Sequence, residues 1–246
     1  MKLSHLIITA ATLSLSCTAQ SAPLVRIFEL TIDSTQKERF DSVGYHNLNT
    51  SVKTEPGTLA MYATHVKDEP GKSIILEIYQ DQDAYQKHVA SSQFGQYVAM
   101  AKDVVKGRKV FETDAQFLAE KNQPLSAVSD TDLQIHYVEV QIEPSRQTEF
   151  SQIVLKEMQQ AMNEEPGIVV MYAVTLKNQP DHWRFWEIYT DSNAYHRHRN
   201  FHYFKEYLEK TESMVIDKKL IQLQADTLMS KGGLYFYDNV RPGIEQ

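Results

Sequence analysis

Two histidines, His88 and His198, stand 110 residues apart, and each closes a twelve-residue segment that opens with Glu-Ile-Tyr. The segments Glu77-Ile-Tyr-Gln-Asp-Gln-Asp-Ala-Tyr-Gln-Lys-His88 and Glu187-Ile-Tyr-Thr-Asp-Ser-Asn-Ala-Tyr-His-Arg-His198 agree at seven of twelve positions. Histidine titrates near neutrality and can take up or release a proton. The hydroxyls of Tyr79 and Tyr189, and of Tyr62 and Tyr172, can donate to a developing oxyanion. Glu77 and Glu187 can orient or tune an imidazole. His88, His198, Tyr79, Tyr189, Glu77 and Glu187 are therefore candidates for acid–base work, although packing alone would also keep them in both copies. Tyr62, Tyr172, Phe94, Phe204 and Trp186 are candidate walls of a binding pocket.

The elements that must position these residues repeat at the same offset. Glu55-Pro-Gly57 recurs as Glu165-Pro-Gly167, and Phe40, Met61 and Tyr97 recur as Phe150, Met171 and Tyr207. Alternating β-branched and polar residues predict strands over 25–32 and 135–142. Helices follow, with Phe40, Val43, Leu48 and Val52 on one face, matched by Phe150, Val154, Met158 and Met162. Glu-Pro-Gly ends each helix, because proline cannot continue it. Strands are expected over 58–66 and 168–176, then over 73–79 and 183–189. Asp81 and Asp191 stand as N-caps of the helix that carries the histidine. Further helical stretches, 93–105 and 203–215, lead to strands 109–117 and 219–227. Each half is then β-α-β-β-α-β, an α+β ferredoxin-like order. Such a sheet has helices on one face only, so the two tandem domains should pack sheet-to-sheet within one chain as an intramolecular pseudo-dimer, with one or two pockets between the sheets. The expected boundaries are 24–118 and 133–228, with a linker at 119–132 and a tail at 229–246. A further homodimer is left open.

Composition narrows the function classes. The 246 residues are 42% hydrophobic and 23% charged, with net charge −7 and no block of Lys or Arg, which argues against nucleic acid or anionic lipid as partner. Met1-Lys2, the apolar run from Leu3 to Leu15 and the small residues through Ala22 read as a signal peptide over 1–21, too short to span a membrane. The expected location is periplasmic or secreted, with no membrane association after cleavage. Cys17 is the single cysteine; Ser14, where a lipoprotein needs a large aliphatic residue, argues against lipidation. His196, His198 and His202 lie close in sequence but lack an acidic or thiol companion, so no metal is expected. There is no Gly-x-Ser-x-Gly and no phosphate-binding glycine loop.

Glu-Pro-Gly, Glu-x-Tyr and Asp-x-x-Ala-x-x-x-His, in this order and twice over, resemble the antibiotic biosynthesis monooxygenase superfamily of dimeric α/β-barrel proteins, a group that includes quinol monooxygenases. The first copy completes the family's His-x-x-Ser-x-x-Phe as His88-Val-Ala-Ser91-Ser-Gln-Phe94; the second has Phe201 in place of the serine. The resemblance implies a monooxygenase that needs no metal or flavin cofactor and uses molecular oxygen as co-substrate. A small aromatic quinol or phenol would be deprotonated by His88 or His198, and its anion would react with oxygen. Haem-degrading relatives resemble the chain less: their ligand histidine falls where Val98 and Leu208 stand. A non-catalytic small-molecule-binding or stress-related module, or an isomerase using the same base, are the alternative readings. The working half is left open.

Overall fold

The computed structural model describes residues 21–129 and 131–238. Apart from Ser21, the expected signal segment lies outside the described residues, as do Cys17 and the last eight residues of the tail. The first module runs β1 (Leu24–Ile32), α1 (Lys37–Thr54), β2 (Thr58–Val66), β3 (Glu69–Tyr79), α2 (Gln82–Val89), α3 (Ser92–Val104) and β4 (Val105–Glu120). A short strand, β5 (Ser126–Val128), lies in the connection. The second module repeats the order as β6 (Gln134–Ile142), α4 (Gln147–Glu164), β7 (Ile168–Leu176), β8 (Gln179–Tyr189), α5 (Ser192–Asn200), α6 (His202–Thr211) and β9 (Val215–Ser230). A last strand, β10 (Tyr235–Tyr237), pairs with β4.

Local chemistry sets the ends of these elements. The Asp81 carboxylate accepts from the Ala84 amide at 2.8 Å, and Asp191 accepts from Ala194 at 2.7 Å, so both histidine-bearing helices are capped as their sequences predict. Ser91 caps α3 by accepting from the Phe94 amide. Phe201, its counterpart, makes no such side-chain bond and instead leaves α5 and α6 meeting at one extended residue.

The two sheets face each other and also join at their edges. Strands run β1-β3-β2-β9-β6-β8-β7-β4, and β4 pairs back with β1, so eight strands close into an antiparallel barrel. β4 and β9 make the closure possible because each is 16 residues long. Residues 105–112 of β4 pair with β1, whereas 113–120 cross to pair with β7. β9 does the same between β6 and β2. The strands expected over 109–117 and 219–227 thus continue past an irregularity that the alternation of side chains does not show. Closure pairs each of the eight barrel strands with two neighbours, so the exposed edges among the described residues are short.

Each strand presents one face to the barrel interior and one to the helices. Inside meet Ile27, Leu76, Ile78, Tyr137, Trp186 and Ile188, among other buried apolar side chains. Each side chain of this size contributes about 1.5–3 kcal/mol by leaving water. Outside, α1 and α3 cover the first sheet over Phe40, Leu48, Met61 and Met100; α4 and α6 cover the second over Phe150, Met158, Trp183 and Tyr207. Phe117 and Ala119, from the far end of β4, pack into the helix-side core of the second module, and Met229 of β9 packs into that of the first. The modules therefore complete each other's cores.

Candidate functional site

Strand alternation divides the candidate residues between two layers. Glu77 and Tyr79 on β3, and Glu187 and Tyr189 on β8, point toward the helices. Tyr62, Tyr172 and Trp186 point into the barrel. Register is the cause: Tyr62 pairs with Leu76 and Tyr172 with Trp186, so each shares the face opposite its neighbouring glutamate. The pocket expected between the two sheets is not where the histidines lie; apolar and tyrosine side chains pack that interior, and the histidines face outward, beneath the helices.

Both histidines sit in the last turn of a short helix and are buried. What brings each to its partner is the Glu-Pro-Gly turn. The Gly167 carbonyl accepts from the Thr190 amide at 2.9 Å, and a Cβ added to Gly167 would lie 2.6 Å from the Cβ of Ala194. Only glycine admits α5 this closely, one turn before the histidine. The same approach recurs between Gly57 and Ala84. It carries the Glu165 carboxylate to 2.9 Å from Nδ1 of His198, and Glu55 to 3.1 Å from Nδ1 of His88. A carboxylate only accepts, so each Nδ1 carries the hydrogen and Nε2 is turned away from it. Neither Nε2 has a hydrogen-bond partner among the described residues. The carboxylates that hold the histidines are thus Glu55 and Glu165. Sequence reasoning took these two only as helix ends; their repetition was the one available signal.

The surroundings differ between the modules. The Tyr203 hydroxyl also donates to Glu165, at 2.6 Å, where the first module has Gln93 donating to Glu55 at 2.7 Å and Thr58 donating at 2.5 Å. Burial opposes the charge on Glu55, but the hydrogen bonds from His88 and Thr58 outweigh it and lower its pKa. Burial likewise opposes charge on His198. The bond to Glu165 and the nearby Glu187 and Glu157 carboxylates prevail, and its pKa rises above the ordinary histidine value. Oε1 of Glu157, on α4, stands 3.9 Å from Nε2 of His198; its equivalent in the first module is Asn47.

Tyr189 donates to Glu187 at 2.9 Å and Tyr79 to Glu77 at 2.8 Å. Burial first, and then the adjacent glutamate, push both phenols well above the ordinary tyrosine value, so they remain hydroxyl donors. Each tyrosine ring lies 5.5 Å from its histidine ring, and Phe94 and Phe204 stack edge-on to the same imidazoles at 4.9 and 4.6 Å. A cavity of about 40 Å3 opens against His198, lined by Glu157, Glu187, Tyr195, Phe204 and Tyr207 together with Arg199 and Lys218. A larger open groove, about 890 Å3, runs past Gln147, Trp183 and Tyr237 and touches neither histidine.

In the barrel, Tyr62 and Tyr172 occupy equivalent positions and meet across the pseudo-twofold axis, hydroxyl to hydroxyl at 3.1 Å. Both also donate to Glu120. Burial pushes the Glu120 carboxyl up, and its counterpart in the other module is Ser230. The axis is therefore broken by one carboxylate. Trp186 stacks on Tyr62 at 6.2 Å. This group does not contact either histidine site. No set of three or more His, Cys, Asp or Glu side chains converges as a metal site among the described residues.

The family model for antibiotic biosynthesis monooxygenases matches the chain twice, over residues 23–100 and 134–210. Among solved structures, a candidate monooxygenase from Lactobacillus acidophilus NCFM is 25% identical; its full length superposes on 88% of this chain with a TM-score of 0.82. A second candidate monooxygenase, from Fusobacterium nucleatum, is 23% identical, with 89% of this chain and 99% of that one covered at the same TM-score. An anthrone oxidase-like protein shares the fold at 10% identity and a TM-score of 0.55, over 87% of this chain and 95% of its own. Comparison with curated proteins gives no match.

Proposed function

Because the chain belongs to the antibiotic biosynthesis monooxygenase family, we propose that it is a cofactor-independent monooxygenase for a small aromatic quinol or phenol, and that the second module carries the working site. The observation that supports this most is His198: Nδ1 tied to Glu165, Nε2 unpartnered, and a cavity in front of it. An imidazole so held is a general base of fixed tautomer, a role worth about 10²–10⁴ in rate. Nε2 takes the proton of a ring hydroxyl. The resulting anion gives electrons to dioxygen and forms a carbon–oxygen bond. The O–O bond then breaks, one oxygen staying on the ring and the other leaving as water. One quinol and one dioxygen thus yield one hydroxyquinone and one water.

The cavity as it stands holds dioxygen or one or two waters; a benzene needs about 150 Å3. A ring therefore requires this pocket to widen around His198. The test is oxygen uptake by the purified chain with hydroquinones and anthrones. His198→Gln should lose activity by about 10²-fold or more, and His88→Gln should retain it. Uptake by neither wild type nor variants points instead to the small-molecule-binding module. Export belongs to the same proposal: the mature chain recovered from the periplasm or medium should begin at Ala22.

A further inference from the structure

The face of α4 that packs on the second sheet carries Val154, Leu155, Met158, Ala161 and Met162, all buried. Glu157 is on it too. A charged carboxylate placed there without a donor would cost several kcal/mol. No hydrogen bond reaches its Oε1. The unpartnered atom it faces is Nε2 of His198, 3.9 Å away, and both residues border the cavity. The first module, with Asn47 at the equivalent position, has no acid there.

We propose that Glu157 is a second proton-transfer group of the His198 site, entering the cycle as a carboxylic acid and exchanging its proton with Nε2 through one water in the cavity between them. The inference rests on the monooxygenase reading and deepens it, because oxygenation of a quinol needs two protons removed and two delivered. His198 takes the hydroxyl proton, and Glu157 protonates the terminal oxygen of the peroxide anion formed with dioxygen. The imidazolium then returns its proton to the Glu157 carboxylate. In the second round His198 takes the ring C–H proton as the O–O bond breaks. Glu157 gives its proton to the departing hydroxide, which leaves as water, and the pair resets as before. No proton is gained or lost by the protein.

The surrounding carboxylates hold protons at this site, on His198 as well as on Glu157. Burial first, with the Glu187 and Glu165 carboxylates, raises the Glu157 carboxyl, His198 pulls it down, and the balance stands at about 8. Tyr189 on β8 and Tyr203 and Tyr207 on α6 are phenols raised by burial and remain neutral. Arg199 and Lys218 also line the cavity.

Infrared difference spectra of wild type and Glu157→Gln, without substrate, test the pair. At pH 7 the wild type should show a carboxylic-acid carbonyl band that the variant lacks and that fades as pH passes about 8. The His198 imidazole resonances, followed by nitrogen NMR, should shift as Glu157 ionises near pH 8 in the wild type and should lack that step in the variant. With substrate, Glu157→Gln and Glu157→Asn should lower kcat/KM by about 10²-fold and remove the alkaline limb of its pH profile. An absent acid band, an unshifted His198 or an unchanged alkaline limb overturns the proposal. If wild type consumes no oxygen, the monooxygenase reading falls and delivery to a peroxide falls with it. The spectra, which need no turnover, still decide whether the two side chains share a proton.

Discussion

Replacing Glu157 by glutamine should make the protein more stable in mild alkali, by an amount the site itself sets. The folded chain holds the Glu157 proton up to about pH 8, whereas the ordinary value is 4.5. Below about pH 4.5 both states are protonated, and the group costs nothing. Between these values the folded state binds a proton that the unfolded state has released, so stability falls as pH rises. Above about 8 the full cost is present. The gap from 4.5 to about 8, at about 1.4 kcal/mol per pH unit, gives an upper bound of about 5 kcal/mol. His198 adds to the trend: its pKa is raised on folding, so its contribution is also lost as pH climbs through the folded value. Glutamine keeps the shape and cannot ionise. Urea unfolding of wild type and Glu157→Gln at intervals from pH 5 to 9 should give similar stabilities at pH 5 and a gap of a few kcal/mol in favour of the variant at pH 9. Parallel curves across that range would refute the argument that Glu157 is buried as an acid.

Other consequences follow from the same geometry. Gly167→Ala drives a methyl group into Ala194 and should cost about 1–3 kcal/mol, with the His198 titration moving toward the ordinary histidine value as Glu165 is displaced; thermal melts and NMR check both. Tyr172→Phe removes a donor from the half-buried Glu120 and should cost about 1–3 kcal/mol. Because that cluster lies in the barrel and not beneath the helices, the pH profile of oxygen uptake should keep its shape. Asp191→Ala removes the cap of α5 and should cost about 1 kcal/mol, lowering the temperature at which His198 becomes accessible to hydrogen exchange.

Much of the architecture was legible because repetition at a fixed offset doubles every local signal. Asp81 and Asp191 advertise helix starts through one side-chain oxygen, and Glu-x-Tyr places two side chains on one face of a strand by period alone. Which face is a matter of register. Nothing in the segment from Met61 to Ala63 says that Tyr62 will pair with Leu76 and not with Glu77, and a one-residue slip would have turned Tyr62 to the helix face of the sheet. The role of Glu165 was hidden for a related reason. Its neighbours Pro166 and Gly167 explain a helix end on their own, and only the close approach of Ala194 turns the carboxylate toward His198. Glu157 was overlooked because a lone glutamate in an amphipathic helix usually faces water, and only the packing of α4 shows it inward.

The most direct measurement is the rate of dioxygen consumption with a hydroquinone series, taken across pH for wild type, His198→Gln and His88→Gln. Activity that survives the change at 88, collapses at 198 and rises with the deprotonation of one imidazole is the predicted result. Oxygen uptake that is indifferent to position 198, or that depends on position 88 alone, would contradict the assignment of the working base to the second module.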